Sequence, residues 1–193
     1  MNITTFIIYC VVVTFTPGPS NIVILSSVQH YGAKKAMHYV YGATLAFGLL
    51  LAASALLNQF LAGILPGLVK VMQILGSVYM LYLAFQIYKM GSTDTKPVQT
   101  ATFATGLLMQ FVNPKVILFT LTVIPSYVFP YYPSTQASFG FVIMITVIGF
   151  LAFTTWVVCG TVFKQFLHKH YRIVNTLMAL FLVYSAVMGS GII

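Results

Sequence analysis

Few side chains in this sequence are equipped for chemistry, and the sharpest of them is a lysine. Between Pro97 and Phe163 the only formal charge is Lys115, which closes the segment QFVNPK at residues 110–115. Gln110, Asn113 and Pro114 stand beside it. A second polar group interrupts the first apolar run as TFTPGPSN, residues 14–21. It supplies Thr14, Thr16, Pro17, Gly18, Pro19, Ser20 and Asn21. Proline lacks an amide donor and clashes with the preceding turn, so each segment breaks a helix and frees backbone carbonyls. Freed amides and a lysine can hold a carboxylate, and freed carbonyls can hold an ammonium. Acid–base catalysis is hard to assemble here. The single acid, Asp94, lies in a polar linker, and no His/Cys/carboxylate constellation supports an enzyme. Cys10 and Cys159 sit in apolar surroundings without metal-ligand spacing, so neither a metal nor another cofactor is expected.

These residues need elements to position them, and composition says which solvent those elements meet. Of 193 residues 60% are hydrophobic and 5% charged, against about a quarter charged in soluble domains. A lipid bilayer is the economical solvent. The net charge of +8 does not indicate nucleic acid, because the cations are few and scattered between apolar runs. The N-terminus lacks the basic region of a cleavable signal, and its apolar stretch overruns one, so it is read as a retained span.

Uncharged stretches predict an all-α integral membrane protein with six transmembrane helices in one domain, residues 1–193. The spans fall at 2–33, near 37–58, from a turn at LAGILPG to about Tyr88, and near 102–127, 136–162 and 173–192. A polar linker, residues 89–101, separates half-repeats of approximately 1–90 and 100–193. A five-span arrangement with a re-entrant segment is the alternative. Seven of the nine basic residues (Lys34, Lys35, Lys89, Lys96, Lys164, Lys169 and Arg172) fall in loops one, three and five. The positive-inside bias places those loops in the cytoplasm and both termini outside.

Three spans per half make the second half cross in the opposite sense, as in the inverted repeats of transporters. The breaks then fall near the midplane of spans one and four, where freed backbone groups must be satisfied internally or face a wet cavity. A lysine at that depth normally faces protein or a water-filled route. Ser26, Ser27, Gln29 and His30 read as an interfacial helix end, and His168 and His170 as solvated loop residues in LHKHYR. Tyr79, Tyr82, Phe85 and Tyr88 form an aromatic face, from which Tyr79 and Tyr82 could reach the cavity. Gly42 and Gly48 allow close helix contacts.

With these residues in view, the chain resembles the lysine-exporter (LysE/RhtB) superfamily of small bacterial efflux proteins. The resemblance rests on Thr16-Pro17-Gly18-Pro19 followed by Ser20 and Asn21. It rests also on Gln110, Phe111, Asn113, Pro114 and Lys115, and on GSVYMLYLAFQIYK as a third span. The segments LMALFLVYSAV and LTVIPSYVFP look most like the cysteine and O-acetylserine exporter subgroup. The resemblance implies export of a small amino acid or derivative across the cytoplasmic (inner) membrane, usually driven by proton motive force. The expected substrate is neutral, of the cysteine/O-acetylserine or threonine/homoserine kind, carried by alternating access. Lys115 and the broken-helix amides would bind its carboxylate, and Thr14, Thr16, Asn21 and Asn113 its ammonium or side chain. Some relatives carry an acid near the first motif where this chain has Ser20 and Asn21. Coupling to a proton or another ion therefore stays open, as does a channel or passive facilitator for small solutes. A homodimer suits the small size.

Overall fold

The computed structural model describes residues 2–56, 74, 77, 78, 80–82, 84, 85, 87–89, 102–132 and 134–189. Secondary structure among the described residues is entirely helical. Helices α1 (Ile3–Phe15) and α2 (Pro19–Tyr31) form a bent pair, and α3 (Ala33–Leu56) returns beside them. Described positions from Ile74 to Lys89 are helical. A second bent pair follows, α4 (Phe103–Val112) and α5 (Pro114–Val123), extended by a π turn at Ile124–Val128. Then come α6 (Thr135–Val162), the short α7 (Lys164–Lys169) and α8 (Tyr171–Gly189).

Each element has a local cause. Asn2 caps α1 by accepting from Thr5 N at 3.3 Å, and Thr102 and Thr105 form a reciprocal capping box at α4. Pro19 and Pro114 both stand at the first helical position of the second half-helix, where a missing amide costs nothing. The bends are 51° in the first pair and 68° in the second. The π turn contains Pro125 and is closed by Phe129 N donating to Ile124 O at 2.9 Å. Pro125 has no amide to offer Leu121 O, and the chain passes it in this wider turn.

By length and composition α3 and residues 136–162 of α6 could each cross a membrane, and each bent pair could form one further span. The outer faces agree. Ile143, Val147, Leu151, Val158 and Val162 are exposed along α6, and Ile173, Leu177, Leu180 and Tyr184 along α8. Apolar stripes of this length facing outward at helical spacing suit lipid, not water. The third expected span and residues 90–101 of the linker lie largely or wholly outside the described residues, as do Lys70, Tyr79, Asp94 and Lys96.

Helix α2 is among the least apolar segments, yet it is buried from Pro19 to Ile24 and again from Ser26 to Gln29. It packs against α3, α4, α6, α7 and α8. Its end, expected from sequence to be interfacial, is packed into protein: Ser26, Ser27 and Gln29 are buried, His30 is half-buried, and Gln29 Nε2 donates to Leu167 O at 3.5 Å. The LHKHYR segment is likewise mostly helix rather than loop, its chain turning at His170. Through the contact of α7 with α2, the lysine-bearing loops one and five share one end of the molecule. At the opposite end Phe6 near the start of α1 meets Tyr127 and Phe141, with ring centroids 6.2 and 5.6 Å apart.

The tightest helix crossing joins the halves. A Cβ on Gly42 of α3 would strike the backbone carbonyl of Phe103, and one on Gly106 of α4 would strike that of Tyr39. Two glycines facing each other's backbones let α3 and α4 approach closely. Gly48, by contrast, meets only the side chain of Thr146.

Candidate functional site

The two breaks meet. Thr16 ends α1, Gly18 begins α2, and Asn113 both ends α4 and caps α5. Ser20 Oγ accepts from Gln110 Nε2 at 3.0 Å and from Asn113 Nδ2 at 2.9 Å. Asn113 Oδ1 accepts from Lys115 N at 3.1 Å, fixing the first turn of α5. Lys115 Nζ then reaches back across the gap and donates to Thr16 O at 2.5 Å. Three side-chain hydrogen bonds thus tie segments roughly ninety residues apart in sequence.

The carbonyls released by proline have particular fates. Pro19 removes the amide that would have bonded Phe15 O, and the indole Nε1 of Trp156 takes its place at 3.3 Å. Thr16 O accepts Asn21 Nδ2 at 3.0 Å as well as Lys115. Gln110 O, deprived by Pro114, receives Asn113 N at 3.4 Å. Replacing Trp156 by phenylalanine keeps the ring but strands Phe15 O. The expected result is a destabilisation of about 1–3 kcal/mol, read as a lower Tm of the detergent-solubilised protein. An unchanged Tm would contradict the assigned role.

A cavity of about 30 Å³ lies between the breaks, room for about two water molecules. It is lined by Thr14, Gly18, Ser20, Asn21, Asn113 and Lys115, walled by Val13, Phe47, Val116, Phe119, Gly149 and Phe153. Of the residues expected from sequence, these six polar or glycine positions are brought together. Gln110 stands behind Ser20, fully buried and outside the lining. Pro19 and Pro114 are buried supports, while Thr16 and Pro17 are exposed. The two threonine hydroxyls donate within their own helix. Thr14 Oγ1 donates to Cys10 O at 2.8 Å and Thr16 Oγ1 to Val12 O at 2.5 Å, local bonds that hydroxyls in helices readily make. Thr16 contributes its carbonyl instead. Tyr79 lies outside the described residues.

The lining carries one ammonium. Opposite charge is absent, since the chain's only acid is Asp94 in the linker. Buried Asn21 Oδ1, in the lining, and Gln110 Oε1, behind it, have no hydrogen-bond partner. A buried acceptor left empty is costly, and this site therefore offers a donor to an anion and acceptors to a cation. Among the described residues no three His, Cys, Asp or Glu side chains gather as metal ligands would.

Sequence reading missed the aromatic wall and Trp156. Phe47 and Phe119 stack at 6.0 Å, Phe119 meets Tyr9 at 6.0 Å, and Tyr9 stacks on Tyr127 at 4.9 Å. The rings run from the cavity toward the start of α1. Gly149 admits the Phe47 ring, whose Cε1 would lie 2.6 Å from an added Cβ. The available signal was a lone tryptophan in an apolar span, where an indole N–H needs a partner.

Residues 11–188 match the family described as LysE type translocator. The chain is similar to the cysteine/O-acetylserine efflux protein of Klebsiella pneumoniae subsp. pneumoniae, 31% identical over 186 residues, covering 96% of this chain and 95% of that protein. The protein of the same description from Escherichia coli (strain UTI89 / UPEC) is 30% identical over 189 residues, again covering 96% and 95%. That of Salmonella typhi is 29% identical over 188 residues, covering 97% and 96%. No solved structure gives a significant match.

Proposed function

The chain belongs to the LysE type translocator family, and from that premise we propose that it exports a small neutral amino acid of the cysteine/O-acetylserine kind across the cytoplasmic membrane. As a translocator it is a transport protein, not an enzyme. The observation that carries the substrate class is the meeting of the two breaks around one ammonium and an unpartnered amide oxygen. An amino acid presents a carboxylate for Lys115 and an ammonium for the oxygens. Relatives described as cysteine/O-acetylserine efflux proteins along nearly the whole chain support the same class.

In this reading the protein has six spans, arranged as a 3+3 inverted repeat, with loops one, three and five cytoplasmic and both termini outside. The breaks lie near the midplane, and the halves rock about the site to expose it alternately. The contact of α7 with α2 supports a common side for loops one and five. The water-sized cavity fits a closed conformation that must open to admit substrate. A carboxylate proton relay has no residue to run on, so coupling to a proton or another ion falls to Lys115 and the substrate's own charges.

Expression of the chain in a bacterial host is expected to raise extracellular cysteine or O-acetylserine several-fold over an empty-vector control. Unchanged extracellular levels, with the protein present in the inner membrane, would contradict the substrate assignment.

A further inference from the structure

Resting on the reading of the cavity as an amino-acid site, we propose that Thr16 O is the ammonium-binding group of that site and that Lys115 occupies it in the absence of substrate. Lys115 is thus a tethered stand-in for the cation it must later admit.

Lys115 starts from the first turn of α5 and reaches the break of the other half, placing Nζ 2.5 Å from Thr16 O. Its side chain runs past Gly18, where an added Cβ would lie 3.1 Å from Lys115 Cδ and 3.3 Å from Nζ. The backbone of the first break is therefore bare where the lysine crosses it. Thr16 O has no α-helical partner, because α1 ends before it. Its other donor is Asn21 Nδ2 at 3.0 Å, and the remaining atom of that amide, Oδ1, is buried and unpartnered. Two acceptors consequently lie together, one bonded to Lys115 and one empty. An ammonium carries three donors, so a substrate ammonium at Thr16 O could also serve Asn21 Oδ1.

Recognition then becomes an exchange. A carboxylate entering the cavity pairs with Lys115 and draws it from Thr16 O, and the ammonium of the same molecule takes the vacated carbonyl. An amine without a carboxylate has nothing to offer Lys115. It must compete with an ammonium attached to the site, whose effective concentration is in the millimolar range or above. A carboxylate without an amine strips the lysine and leaves Thr16 O short of a donor. Only a molecule with both groups completes the exchange, which makes the selectivity for amino acids over their decarboxylated amines a property of Lys115.

The test is binding of cysteine and of cysteamine, its decarboxylated analogue, to the detergent-purified full chain under reducing conditions. Wild type should bind cysteine and not cysteamine. Lys115→Met should lose cysteine and gain cysteamine by at least about tenfold in affinity, because the carbonyl is uncovered. Gly18→Ala, which crowds the lysine stem while keeping its charge, should gain cysteamine more weakly. It decides the matter if Lys115→Met does not fold. Equal cysteamine binding by wild type and the variants, or none by any folded variant, would overturn the proposal. A wild type that binds no amino acid would count against the substrate site itself, a failure distinct from the cysteamine comparison.

Discussion

Lys115→Met is expected to abolish amino-acid exchange while the protein remains folded and inserted. The loss should be at least about a hundredfold, the worth of two charge-assisted hydrogen bonds to a carboxylate. Insertion should not suffer. A lysine at the centre of a membrane helix is unfavourable by about 2.5–3.5 kcal/mol on insertion scales, so methionine eases the passage of α5 into lipid. The bond lost in the empty protein is a single one, from Nζ to Thr16 O. The stitch between the breaks survives, because Ser20, Gln110 and Asn113 are untouched. Exchange per folded molecule, normalised by size-exclusion chromatography, separates the two effects. Near-normal exchange would remove Lys115 from the site.

The second large effect is on the fold. Gly106→Leu should prevent stable assembly, and Gly106→Ala should lower stability by about 1–3 kcal/mol or more. A Cβ at this position would fall on the Tyr39 carbonyl, and the reciprocal contact from Gly42 falls on that of Phe103. Both obstacles are backbone, so no rotamer change relieves them. The helices would have to separate, removing close Cα–H···O contacts. Four residues after Gly106 comes Gln110, so a displaced α4 also moves the donors that hold Ser20. Gly140 is the matched control, since an added Cβ there meets nothing within 4 Å. Thermal unfolding in detergent should show Gly140→Ala near wild type and Gly106→Ala well below it. Equal Tm values would contradict the crossing.

The breaks were legible in the sequence because proline removes a donor whatever surrounds it. Lys115 was legible because an unpaired charge in an apolar run is expensive anywhere. The long helices α3 and α6 match the spans expected near 37–58 and 136–162 to within a few residues where described, since length and apolarity alone define them. What the sequence withheld depends on partners brought together by folding. Nothing near Thr14 or Thr16 says whether a hydroxyl faces the cavity or turns back to its own helix, and both turn back. Trp156 lies 141 residues from the carbonyl it satisfies. Pro125 does not end the helix, because a π turn carries it on to Val128. Polarity made Ser26, Ser27 and Gln29 look interfacial. The packing of α6 and α7 against the end of α2 buries them.

Counterflow in proteoliposomes, with no ion gradient imposed, tests the central claim most directly. Vesicles preloaded with cysteine or O-acetylserine should accumulate the labelled compound transiently. The exchange should saturate with concentration and disappear with Lys115→Met. Flux that does not saturate, or no exchange by protein shown to be folded and inserted, would contradict an amino-acid carrier built on the meeting of the two breaks.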